Sequence, residues 1–150
     1  MKHLVFGLTL LLTVVASAVQ AAPAALQGAW IANSYQPHGS QVRFDLRGQM
    51  QFSGSRWSLT YIVLTDGKPQ RVFAQVGRFS GEGDKLDLYG DVALYPYAPA
   101  VPGLWEQRER YIVFPQDGVT DPVKAEFTIE GDQLTMIFGV GSKMIFTRAR

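Results

Sequence analysis

"FTIEGDQLTMIF", Phe127 to Phe138, repeats a phrase the chain has already used as "FSGEGDKLDLY", Phe79 to Tyr89. Each copy reads Phe, two residues, Glu-Gly-Asp, one residue, Leu, one residue and an apolar residue. On entering the second copy, Ala125, Phe127 and Ile129 alternate with Glu126, Thr128 and Glu130. After Gly131-Asp132, Leu134, Met136 and Phe138 alternate with Gln133, Thr135 and Ile137. Period two on both sides of a tight glycine turn is a β-hairpin with one buried face. Glycine takes φ > 0 and aspartate tolerates it, as such a turn requires. The earlier copy does the same around Gly83-Asp84, so the repeated phrase is a hairpin used twice.

The rest of the chain follows the same alternation. Val42, Phe44 and Leu46 alternate with Gln41, Arg43 and Asp45, and Arg47-Gly48 reads as a turn into Met50 and Phe52. Trp57, Leu59, Tyr61 and Val63 alternate with Arg56, Ser58, Thr60 and Ile62, and Thr65-Asp66-Gly67 reads as the next turn. "RVFAQVGRF", Arg71 to Phe79, is strand-like but apolar on both faces, as a deeply covered strand is. "LQGAWIANSY", "RYIVF" and "KMIFTR" add further strands. Roughly nine or ten short strands at about 8–12-residue spacing fit an all-β barrel or sandwich. Sequential hairpins make a meander, and a meander removes its exposed edges by closing. The expected fold is an antiparallel up-and-down barrel of about 8–10 strands.

Gly28-Ala29-Trp30 in "LQGAW" resembles the G-x-W opening of the lipocalin and calycin barrels, and "FTRAR" places Arg148 on the last strand. In that superfamily such an arginine packs over the first-strand tryptophan, so the resemblance implies a Trp30–Arg148 pair. The repeated Glu-Gly-Asp hairpins also resemble small bacterial lipocalin-like domains. Ligand binding is what this resemblance implies.

The chain opens with Met1-Lys2-His3, an apolar run from Leu4 to Val19, and the small residues of "VQAAPAAL". These are the three parts of a secretory signal peptide, with cleavage expected after Ala21. Residues 1–21 are read as the leader and 22–150 as one lipocalin-like domain, periplasmic or secreted, with no membrane span after cleavage. A cysteine is missing from the junction, which excludes a lipid-anchored form. Residues 22–150 carry 13 Lys+Arg (the 14 of the chain less Lys2) and all 13 acids. That balance lacks the basic footprint of a nucleic-acid binder. With no cysteine in the chain, burial alone must hold an exported fold.

Chemistry is sparse. Apart from His3 the only histidine is His38, in the loop-like "YQPHGS", and zinc or copper sites want several imidazole or thiolate ligands. No metal and no cofactor are expected. Ser34 and Ser40 lie near His38 in sequence only, no G-x-S-x-G elbow exists, and "GEG" and "GVGS" open no helix. Glu82, Asp84, Asp117, Glu130 and Asp132 fall at turns, where solvent keeps carboxylates ordinary. No catalytic residue is assigned, and the protein is not expected to be an enzyme.

Two readings of function remain. The first is a binding barrel for a small apolar or amphipathic molecule, with Tyr61, Phe73, Tyr89, Tyr95, Tyr97 and Trp105 near the pocket. Gln75 is its inward amide. Arg108, beside Glu106, Glu109 and Arg110, is either an anchor for an anionic group or part of a solvated strand end. The second is a protein-interaction module with a filled core, an exported inhibitor or envelope-assembly factor. "VALYPYAPAVPGLW", Val92 to Trp105, bears on both: its prolines mark an ordered loop, which covers a barrel mouth, packs on the wall or meets a protein partner. N-terminal sequencing of the exported form is expected to begin at or near Ala22. An intact Met1 in membranes overturns the localisation.

Overall fold

The computed structural model describes residues 23–96, 111–115 and 121–150. A 3-10 turn, Ala24–Leu26, leads into nine strands: β1 Gly28–Gln36, β2 Phe44–Ser53, β3 Arg56–Thr65, β4 Lys68–Glu82, β5 Lys85–Pro96, β6 Tyr111–Pro115, β7 Val123–Glu130, β8 Gln133–Phe138 and β9 Lys143–Arg148. All pairings are antiparallel, and the order β4-β3-β2-β1-β9-β8-β7-β5-β6 closes through the extra β4–β5 pairing. β6 and β7 share one side of β5 end to end, so the nine strands make eight staves. The fold is an all-β, closed, up-and-down barrel.

The sixth stave is interrupted. Leu88 to Val92 takes four steps on β5, whereas their partners Val123 and Pro115 lie eight residues apart. Pairs running from Trp30 through Met50, Leu59, Gln75 and Ala93 arrive at Phe114. In the other direction Trp30 faces Arg148, and the circuit continues to the lower part of the same stave. This stagger is what tilts the strands of a closed barrel.

The turn chemistry follows the sequence closely. Gly54-Ser55, Gly83-Asp84 and Gly131-Asp132 each carry positive φ on the glycine alone (59°, 63° and 60°), the type II′ pattern. At Asp66-Gly67 both residues are positive, 52° and 73°, the type I′ pattern. The three type II′ turns share the end of the barrel where β1 starts and β9 finishes, here the lower end. In each, the second residue's carbonyl accepts an N–H from a strand beyond its own hairpin: Ser55 from Phe79, Asp84 from Phe127 and Asp132 from Arg148, all at 2.8 Å. The Ala149 N–H reaches Ala29 O at 2.9 Å. Gln27 completes the ring, its side chain donating to Gly54 O at 3.1 Å and accepting from Gly54 N at 3.0 Å.

Four expectations need correction. Gly48 is no turn but the middle of β2, opposite Tyr61, where a Cβ would overlap Thr60 O and Tyr61 Cα. β2 begins only at Phe44, leaving Val42 in the preceding loop and 55% exposed. Val92–Pro96 is no loop but the upper half of β5, paired with β6. β4 is not covered on both faces, since Val76 on its outer side is 41% exposed.

Added Cβ atoms at Gly83 and Gly131 meet nothing within 4 Å. The cost of Gly83→Ala or Gly131→Ala is therefore backbone strain alone, expected at about 1–2 kcal/mol. Urea midpoints should fall accordingly, and less for Gly→Asn, whose side chain tolerates φ > 0.

Candidate functional site

The two ends of the barrel are built differently, and the lower one is sealed. Leu26, on the 3-10 turn, is fully buried beneath the core. Its carbonyl accepts the Trp30 indole N–H at 2.9 Å, and the buried Trp30 ring lies 4.0 Å from the Arg148 guanidinium carbon. Arg148 also donates to Ala25 O at 2.9 Å and Gln27 O at 3.3 Å, strapping the turn to the last strand. Above this plug pack Met50, Phe52, Phe79, Leu134, Met136 and Phe146, with Phe52 and Phe79 edge to face at 5.1 Å. Trp57 spans the next level. Its indole N–H is shared between Arg78 O at 2.9 Å and Tyr89 O at 3.2 Å, and it lies over Gly77, where a Cβ would overlap Tyr89 O.

Above Trp57 the packing loosens. Tyr35, Tyr61, Val63 and Phe73 touch the core but remain half-buried. Tyr61 and Phe73 face each other across β3 and β4 and stack at 5.1 Å with 25° between their planes. Gln75 lies between Leu59 and Ala93, both buried, and so takes an inward position while staying half-buried itself. It makes no side-chain hydrogen bond among the described residues. Gly48, opposite Tyr61, presents no side chain to the interior. A half-exposed aromatic wall and one amide therefore stand above a dry floor.

Of the remaining sequence-derived residues, one is placed elsewhere. Tyr89 is paired with Arg78 and follows buried Leu88, which places it on the outer face, away from Tyr61 and Phe73. Tyr95 belongs to β5 opposite Ile112. Tyr97, Trp105 and Arg108 lie outside the described residues. Sequence reasoning passed over Tyr35 and Arg71. Arg71 is opposite Val63 at the upper end of β4, on the face that carries Phe73 and Gln75. The unbroken alternation Arg71, Phe73, Gln75, Gly77, Phe79 was the available signal.

Elsewhere, His38 packs on Gly141 between the upper loops, and the Ser40 hydroxyl accepts the Val42 N–H at 2.9 Å. Among the described residues no group of three or more His, Cys, Asp or Glu side chains is arranged to hold a metal ion. None of their helices is long and apolar enough to cross a membrane. An open cleft of about 890 Å³ lies between the β4–β5 turn, β7 and the β8–β9 turn. Its cross-strand neighbours Lys85–Glu126 and Asp87–Lys124 are opposite in charge and offset one another's field. No protein-family model matches the chain, and neither a curated protein nor a solved structure does.

Removing the fully buried indole of Trp30 opens the lower plug and orphans Leu26 O. Trp30→Ala is expected to cost about 3–5 kcal/mol in urea unfolding. A loss below roughly 1 kcal/mol would mark Trp30 as peripheral.

Proposed function

We infer that this protein is an exported, non-enzymatic barrel of lipocalin-like type, holding one small apolar or amphipathic molecule loaded through its upper end. The observation that carries this reading is the gradient along the interior. Leu26 and Trp30 are sealed at the bottom, whereas Tyr61, Phe73 and Gln75, facing the same interior, keep part of their surface open. An eight-stranded barrel is wide enough for side chains to fill it or for one small ligand. Apolar walls with a few placed polar groups are the usual chemistry of a small-molecule site. Export to the periplasm or beyond rests on the leader-like Met1–Ala21. The carboxylates of the lower turns, Glu82, Asp84, Glu130 and Asp132, are exposed, a poor setting for acid–base catalysis, and no cofactor is assigned.

An apolar probe dye titrated into the protein should report one saturable site with micromolar affinity, about −8 kcal/mol. Replacing Tyr61 and Phe73 together by Ser should weaken it at least tenfold, about 1.4 kcal/mol, with the far-UV β signature retained. Absence of any saturable site would remove the pocket and favour the protein-interaction module.

A further inference from the structure

The inner face of β4 reads downward as Arg71, Phe73, Gln75, Gly77 and Phe79. Their partners on β3 confirm the facing: Arg71 sits opposite Val63, Phe73 opposite Tyr61, Gln75 opposite Leu59 and Gly77 opposite Trp57. Val63 and Tyr61 pack against the core, so Arg71 shares the interior face although its own side chain is exposed at the mouth. Every ion pair formed among the described residues belongs elsewhere: Arg56 and Arg78 hold Asp91, and Arg150 holds Asp132. Arg71 has no acidic partner and no hydrogen-bonded one among them. Asp45 is opposite Leu64, on the other face of the sheet from Val63, and directs no charge inward.

We propose that Arg71 is the head-group anchor of the barrel, and that the ligand is a single-chain amphiphile ending in an oxyanion, carboxylate or phosphate. This rests on the binding-barrel reading above and gives it a substrate class. The guanidinium is a planar fork of donors that matches both oxyanions bidentately. At a strand rise near 3.3 Å, Arg71 to Gln75 spans roughly 13 Å, an apolar stretch running past the Tyr61–Phe73 stack. The Trp57 indole, tied to Arg78 O and Tyr89 O, forms the floor on which the tail ends. A cationic head meets Arg71 with like charge, and a neutral head leaves the fork unused.

The test compares dodecanoate, dodecyl phosphate, dodecan-1-ol and dodecyltrimethylammonium by calorimetric titration below their micelle concentrations. At least one oxyanion should bind roughly fivefold tighter than the alcohol, the gain of a partly exposed charge pair, and the cation more weakly. The advantage should shrink as salt is raised. Arg71→Gln should abolish it while leaving dodecan-1-ol binding unchanged. Arg47→Gln, on the outer side of β2 opposite Ile62, should preserve it. Equal binding of acid and alcohol by the wild type overturns the assignment of Arg71 and leaves the barrel reading intact. The assignment is also overturned if R71Q weakens acid and alcohol alike. Failure of all four amphiphiles to bind overturns the barrel reading itself.

Discussion

A barrel ends where its strands turn, and there the backbone groups have no ladder left. The lower rim solves this with one repeated device. Each Gly-X turn lets the hairpin close with its strands properly twisted, and the X carbonyl is offered to the strand beyond. Ser55, Asp84 and Asp132 give their oxygens to Phe79, Phe127 and Arg148, so each hairpin is bonded to its successor as well as to itself. An N–H or C=O left unpaired at such a buried margin costs about 1–3 kcal/mol. The repeated Glu-Gly-Asp phrase is therefore a rim segment. Its phenylalanine N–H donates to the carbonyl of the preceding turn, and its Asp carbonyl accepts from the strand that follows.

That rim makes the lower core possible. Phe79 and Phe127 are held by their own backbone bonds and point inward, beside Phe52 and Met136. The 3-10 turn then needs only Leu26 to fill the remaining opening. Gln27 clasps the β2–β3 turn and Arg148 lies over Trp30, a contact adding about 0.5–1 kcal/mol beyond the packing. With the ring closed below, the upper half is free to pack less tightly without exposing sheet edges. Outside the barrel the same closure meets a local conflict. Arg56 and Arg78 oppose each other across β3 and β4, and Asp91, beside the register shift between β4 and β5, pairs with both at 3.1 and 3.3 Å.

The hairpins were legible because a two-residue turn changes the parity of the inward set. Inward residues are even through Phe52 and odd from Trp57, odd through Phe127 and even from Leu134. Across Gly48 the parity never changes, from Leu46 to Met50, so the alternation already argued against a turn there. The same parity sets Tyr89 outside, since Leu86 and Leu88 face in. Prolines made the Val92 segment look like a loop, yet β5 carries only Pro96, at its last pair, where little of the ladder is lost. Register shifts within β1 and between β4 and β5 leave no such mark, because a bulge is set by the partner strand as much as by its own residues. The Trp30–Arg148 contact was accessible only through a family resemblance, since neither residue shows in the alternation that the other lies above it.

β4 condenses the difference between the two ends. Its inner face passes from an exposed cation through a half-buried ring and amide to buried Phe79, all within one strand. Gln75 is the informative position. A buried amide without a partner costs about 1–3 kcal/mol, whereas one reached by water costs little. No buried side-chain polar atom lacks a partner among the described residues, and Gln75 is itself only half-buried. Gln75 thus keeps part of its surface open between buried Leu59 and Ala93, while Phe79 lower on the same face is buried. Further down the same face, opposite Gly77, Trp57 has its indole N–H committed to two carbonyls. On the proposed binding reading, a molecule entering from above would displace water from apolar walls, a gain of about 25 cal/mol per Å² covered, and would meet an amide still able to bond. On that reading the same strand would set both how far the core extends and where a ligand's polar atoms would lie.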